Sequence, residues 1–138
     1  MTPEAVAELA HLRRARDLID REYASPLDVP AMAEVAAMSP AHFSRRFRDV
    51  YGETPYSYLM TRRIERAQEL LRHGATVTEA CMAVGATSLG SFSSKFSEIT
   101  GLSPSSYRGL DHSDLEVVPP CVAKEQLRPR RSRSSMSA

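Results

Sequence analysis

Arginine, serine and alanine side chains recur at helical spacing in a stretch that begins at Ser39 and Pro40. They occupy positions i, i+3, i+4 and i+7 of one helix face, namely Ala41, Ser44, Arg45 and Arg48. The small residues leave room for close approach, and a guanidinium group can bond a guanine edge through two hydrogen bonds or hold a phosphate. Arg45 and Arg48 are either such contacts or solvated surface arginines, and the surrounding pattern favours contact.

An apolar stripe is expected to fix this face outward. The stripe is formed by Phe43, Phe47 and Val50. Ser39 is predicted to cap the helix, with Pro40 as its first residue, and Gly52 is predicted to end it. Arg46 lies between the two faces, where it suits a backbone phosphate better than a base.

The chain contains this stretch twice. Residues 33–58 read AEVAAMSPAHFSRRFRDVYGETPYSY, and residues 81–107 read CMAVGATSLGSFSSKFSEITGLSPSSY. The residues that recur 49 positions later are Phe43, Ser44, Phe47, Gly52, Pro55, Ser57 and Tyr58. Ala33 and Ala37 instead match Cys81 and Gly85 at an offset of 48, so the second copy carries one extra residue in its turn. The pattern predicts two copies of one small fold unit.

Small residues in each copy favour a helix-turn-helix. Ala33 and Cys81 in the first helices, with Ala37 and Gly85 at the turns, allow two helices to cross closely. This is the steric demand of a helix-turn-helix, whose second helix enters the major groove of DNA.

The second copy offers a weaker reading face. Its outward residues are Gly90, Ser93, Ser94 and Ser97, flanked by Leu89 and Lys95. Serine bonds bases or phosphates with little selectivity, so we expect the first copy to dominate both affinity and sequence choice. Leu89 either contacts a thymine methyl group or packs locally.

Capping residues predict helices along the whole chain up to Gly109, and no stretch alternates with period two. The longest predicted helix covers residues 55–72, with an apolar seam of Tyr56, Met60, Ile64, Ala67 and Leu71. The predicted domains are a first helix-turn-helix subdomain at 1–54, a linker helix at 55–73, a second subdomain at 74–109 and a disordered basic tail at 110–138.

Charge and composition fit a polyanion partner and disfavour an enzyme. Residues 40–72 hold seven arginines against four acids, although the whole chain carries a net charge of only +1. The sequence has no glycine-rich phosphate loop, no cluster of metal ligands and no nucleophile elbow, so we expect no catalysis, metal or cofactor. It has no membrane-length apolar run and no leader-like start, so the predicted compartment is the cytoplasm.

These motifs together resemble the DNA-binding domain of AraC/XylS-type transcription regulators. The resemblance covers roughly residues 14–108, through PLDVPAMAEVAAMSPAHFSRRFRDVYGETPYSYL, RRIERAQELL, VTEACMAVG and SFSSKFSEITGLSPSSYR. It implies an all-α protein of seven helices that form two helix-turn-helix subdomains joined by a long linker helix. It also implies a monomer on double-stranded DNA, with recognition helices about 34 Å apart, and contacts to RNA polymerase.

The DNA-contacting residues expected from the pattern and the resemblance fall on both recognition helices. In the first they are Pro40, Ala41, Ser44, Arg45, Arg46 and Arg48; in the second they are Leu89, Gly90, Ser93, Ser94 and Lys95. The chain departs from the family at Gly85-Ala86, where relatives often have Gly-Phe. It also lacks room for the usual sensor domain, so it is expected to act alone or with a separate sensor chain.

A protein-interaction module is the competing interpretation. In that case the serine-faced second copy no longer reads DNA, and the chain modulates another regulator or RNA polymerase.

Overall fold

The computed structural model describes residues 2–110, and this part of the chain holds seven α-helices and no strand. The helices are α1 (Pro3–Glu22), α2 (Val29–Val35), α3 (Pro40–Tyr51), α4 (Pro55–Arg72), α5 (Val77–Ala83), α6 (Leu89–Thr100) and α7 (Pro104–Arg108). The predicted all-α fold with seven helices is confirmed. The predicted tail lies outside the described residues, except for Leu110.

Side-chain caps start the helices where the sequence predicts them. The Ser39 hydroxyl accepts from the His42 amide at 3.3 Å at the start of α3, and Ser88 does the same for Ser91 at 3.2 Å at the start of α6. Thr76 and Glu79 form a reciprocal capping box at α5. Each cap satisfies backbone amides that have no partner inside their helix.

The chain divides into two compact units, and the division falls inside α4, after Arg62. The predicted boundaries at 54 and 73 treat α4 as a separate linker, and they stay predictions. The core of the first unit consists of Leu12, Ala15, Ile19, Met32, Ala33, Ala36, Phe43, Phe47 and Leu59. The second unit buries Ile64, Ala67, Leu71, Ala80, Cys81, Val84, Phe92, Phe96 and Tyr107. Burial raises the pKa of the Cys81 thiol, as expected for a cysteine that packs as a small apolar residue.

The repeat extends further than the sequence match. At an offset of 52, the buried residues Leu12, Ala15 and Ile19 of α1 correspond to Ile64, Ala67 and Leu71 of α4, which are also buried and apolar. The first turn of α4 likewise corresponds to α7, since both begin with a capped proline. Helix α4 therefore serves as the closing helix of the first unit and the opening helix of the second.

This double role corrects the predicted apolar seam of α4. Tyr56 is 53% exposed, whereas Leu59, which was left out of the seam, is 1% exposed in the first core. The prediction at Tyr56 was wrong because it assumed one continuous stripe. The early residues of α4 pack in one unit and the later residues in the other, so a single stripe is not required.

The turn between the paired helices requires a left-handed residue in each copy. Ala37 has φ 58° and Gly85 has φ 84°, and the second turn is one residue longer, as predicted. Alanine pays a steric penalty in this region that glycine avoids. The small residues at these positions are therefore needed for backbone conformation, in addition to close helix packing.

We predict opposite effects of exchanging these two residues. Gly85→Ala should destabilise the protein, because the left-handed conformation costs an alanine about 1–2 kcal/mol, offset only by about 0.4–1 kcal/mol from the stiffer unfolded chain. Ala37→Gly removes the cost of the left-handed conformation but makes the unfolded chain more flexible, so it should be slightly stabilising. Urea denaturation of the two variants measures the difference, and shifts of the same sign would contradict this account.

Candidate nucleic-acid interface

Buried aromatic rings set the rotation of α3 in the first unit. Phe43 and Phe47 are both fully buried, with ring centroids 5.6 Å apart. The Phe47 ring also lies 4.7 Å from Tyr51 and 5.7 Å from Tyr58, measured between centroids. Because these rings hold one side of the helix in the core, the opposite side must face solvent.

The residues predicted to contact bases do lie together on that solvent-facing side. Pro40, Ala41, Arg45 and Arg48 are exposed, and Ser44 is half-buried. Alanine and serine precede the arginines along the face, so the amino-terminal end of α3 has little side-chain bulk. Whether these residues touch DNA stays a prediction.

Arg46 differs from the other two arginines because carboxylates surround it. Its guanidinium group donates to Glu8 at 3.0 Å and to Asp49 at 2.9 Å. The hydrogen bond to Glu8, followed by that to Asp49, raises the pKa of Arg46 above its ordinary value. His42, one turn earlier, has its Nε2 atom 3.2 Å from the other oxygen of Glu8. Sequence patterns identified Arg46 as a phosphate ligand, which stays a prediction, but gave no signal for its pairing with Glu8.

The second recognition helix, α6, has the same buried side and a different outer side. Phe92 and Phe96 are buried, with centroids 5.9 Å apart, and Phe96 meets Tyr107 edge-on at 5.5 Å. The exposed outer residues are Leu89, Gly90, Ser94 and Ser97, while Ser93 and Lys95 are half-buried. Lys95 pairs with Glu98 at 3.3 Å. The outer face of α6 therefore presents hydroxyl groups where α3 presents guanidinium groups.

Two tyrosines fasten the recognition helices to the opening helix of their own unit. The Tyr58 hydroxyl donates to Asp20 at 2.6 Å, and Arg62 pairs with the same carboxylate oxygen at 3.2 Å. Burial, and then the hydrogen bond to Asp20, raise the pKa of Tyr58 well above its usual range. In the second unit the Tyr107 hydroxyl accepts from Arg72 at 3.0 Å. The recurring tyrosines were visible in the sequence, but their partners differ and gave no repeat signal.

Other kinds of site find no support in the part of the chain described. Among residues 2–110, no three side chains of histidine, cysteine, aspartate or glutamate are grouped as a metal site would need. None of the described helices is long and apolar enough to cross a membrane.

Comparison with known proteins identifies the family. A family model described as a helix-turn-helix domain matches residues 32–109, more than half of the chain, and several of the matching structures and relatives are described as AraC-type or AraC-like regulators. The chain belongs to the AraC-type helix-turn-helix family. The matched residues include both turns, both recognition helices and all of α4.

Individual relatives are transcriptional or response regulators. The uncharacterized HTH-type transcriptional regulator YobQ of Bacillus subtilis (strain 168) is 33% identical over 89 residues, 64% of this chain and 37% of YobQ. The DNA-binding domain of AdpA, a global transcriptional factor solved with a target DNA, has a TM-score of 0.67 at 30% identity, covering 75% of this chain and 94% of that domain. The C-terminal domain of AraT, a response regulator from Geobacillus stearothermophilus, has a TM-score of 0.66 at 31% identity, covering 74% and 92%. The chain spans roughly a third of the length of the curated relatives it matches.

We predict unequal contributions from the two outer faces of this AraC-type domain. Arg45→Ala should weaken binding to a cognate duplex by about 1–3 kcal/mol, because one bidentate base contact has about that value. Ser94→Ala at the matching position should cost less. Both residues are exposed, so neither change should alter folding. Fluorescence anisotropy with one labelled duplex compares the variants, and equal losses would show that the second face was misjudged.

Proposed function

We propose that this chain binds double-stranded DNA in a sequence-specific manner and regulates transcription. The observation that carries the proposal is the outer face of α3, where Ala41, Arg45 and Arg48 are exposed on a helix held by buried rings. Membership in the AraC-type family supports it, as does the likeness to the AdpA domain that was solved with DNA.

The proposed mechanism joins phosphate contacts to base contacts in the major groove. Arg45, in the middle of the face, would bond the O6 and N7 atoms of a guanine through its two-pronged guanidinium group. Ala41 and Ser44 would allow the helix to approach the base edges closely. Arg48, one turn later, would hold a phosphate and fix the register of the protein on the duplex.

The second unit would contribute weaker contacts. Ser93 and Ser94 can bond either bases or phosphates, and Lys95 can reach a phosphate only while its pairing with Glu98 is broken or shared. The competing function, a protein-interaction module, rests on this serine-rich face and on Met82 of α5, which is 72% exposed. In that case the second unit binds another regulator instead of DNA.

Further partners follow from the proposed role. We propose that the domain binds DNA as a monomer, through its two helix-turn-helix units, and that it contacts RNA polymerase. Because its proposed partner is DNA, the cytoplasm stays the predicted compartment. The matched residues cover 37% of YobQ and 28% of a second curated relative, so the further functions of those longer proteins are not assigned to this chain.

A salt titration tests the proposed function. For a mixed-sequence duplex, the logarithm of the association constant should fall linearly with the logarithm of the salt concentration. The slope should be about −0.9 per phosphate contacted, because cations bound to the DNA are released when the protein binds. Arg48→Ala should reduce the magnitude of that slope by about 1. Arg21→Ala removes the same charge from an exposed site in the last turn of α1, outside the proposed DNA-binding residues, and it is the matched control.

The outcome that would refute DNA binding is equally direct. If the wild-type chain binds no duplex of any sequence at low salt, the regulator proposal fails and the protein-interaction module becomes the better account.

A further inference from the structure

A single carboxylate of α1 holds two side chains of the first recognition helix. One oxygen of Glu8 accepts from Arg46 Nε at 3.0 Å and also lies 3.0 Å from a terminal guanidinium nitrogen. The other oxygen lies 3.2 Å from His42 Nε2. Phosphate oxygens bind arginine through the same donors, so Glu8 occupies positions that a phosphate would otherwise take.

These residues lie beside the proposed base-reading face. His42, Arg46 and Asp49 are spaced i, i+4 and i+7, so they form one stripe along α3. The stripe runs between the outer face and the buried rings, the side of a recognition helix that faces the sugar-phosphate backbone when the helix enters a groove. The side chains of Arg46 and Glu8 are 34% and 24% exposed, so the pair is open to solvent and to an incoming phosphate.

We propose that Glu8 competes with DNA phosphate for Arg46 and His42, and thereby lowers the affinity of the chain for DNA of any sequence. The inference rests on the proposed DNA-binding function. Phosphate contacts carry no sequence information, so a weaker phosphate contribution leaves a larger share of the binding energy to the bases read by Arg45. Glu8 is thus a specificity-determining residue that lies outside the recognition helix.

Packing in the first unit does not depend on this ion pair. Helices α1 and α3 are joined by a fully buried apolar core that includes Leu12, Ala15 and Phe47. Exposed ion pairs contribute little to stability, so removal of Glu8 should leave the fold intact. The charge of Glu8 therefore has its main effect on what Arg46 can bind.

The second copy repeats only part of this arrangement. At an offset of 49, Lys95 and Glu98 match Arg46 and Asp49 and keep their ion pair. At the offset of 52 that relates α1 to α4, the residue that matches Glu8 is Met60, which carries no charge. The carboxylate that competes with phosphate, that of Glu8, is therefore present only in the first unit. This is the unit whose recognition helix carries the arginines and would otherwise bind phosphate most strongly.

The test compares Glu8→Gln with Glu4→Gln in the full chain. Both changes remove one negative charge near the start of α1. Glu4 is the control because it is exposed and lies in the first turn, one turn before Glu8. On a random-sequence duplex at low salt, Glu8→Gln should bind several-fold more tightly than Glu4→Gln. If Glu8→Gln gains one phosphate contact, its affinity relative to that of Glu4→Gln should fall about threefold when the salt concentration rises from about 50 to about 200 mM.

The same comparison in a chain that also carries Arg46→Gln identifies the cation that becomes free when Glu8 is removed. In Arg46→Gln, most of the gain from Glu8→Gln should disappear, because the main cation is no longer present. Thermal unfolding of all four variants checks that the folds match.

Three results would overturn the inference, and they point to different failures. If Glu8→Gln binds more weakly than wild type, Glu8 positions the helix instead of competing with phosphate. If it equals Glu4→Gln while wild type binds DNA, the competition is absent and the proposed function stands. If wild type binds no DNA at low salt, the proposed function fails, and the inference fails with it.

Discussion

Each recognition helix depends on a pair of buried phenylalanines four residues apart. An α-helix repeats every 3.6 residues, so Phe43 and Phe47 leave the helix only one rotation in which both rings reach the core. Phe92 and Phe96 impose the same rotation on α6. A tyrosine from the closing helix of each unit packs edge-on against the second ring, at 5.7 Å in one copy and 5.5 Å in the other. The identity of the outward residues, and hence what the helix can bind, follows from this constraint.

The long helix α4 explains why the two copies lie in one continuous chain without a loop between them. Its first turn closes the first unit through Leu59 and the Tyr58 hydroxyl, and its later residues open the second through Ile64 and Leu71. A unit cut before residue 55 would lose its closing tyrosine, and a unit begun after residue 73 would lose its opening helix. The helix therefore contributes buried side chains to both units.

Local signals in the sequence were sufficient for most of the fold. Caps such as Ser39 and Thr76 act within three residues, and the inserted turn residue shows directly as a change of repeat offset from 49 to 48. The outward face of α3 was also predictable, because helical periodicity assigns faces once the buried phenylalanines are known. The exposure of Tyr56 was not, since it depends on which core each part of α4 enters.

The polar contacts around the site could not be predicted from local pattern. Glu8 and Arg46 are 38 positions apart, as are Asp20 and Tyr58, and in the second copy the tyrosine hydroxyl meets Arg72 instead of a carboxylate. Surface ion pairs of this kind depend on where two helices cross, which periodicity does not specify. The sequence therefore identified the arginines of α3 as a group, and the structure separated Arg46 from Arg45 and Arg48.

The central claim is that the fold is duplicated while the base-reading face is concentrated in the first copy. Selection of bound sequences from a random duplex pool tests this claim most directly. The account predicts one sharply defined half-site, with a guanine whose preference is lost in Arg45→Ala, and a second half-site with little or no base preference. Two half-sites defined with equal sharpness would contradict it.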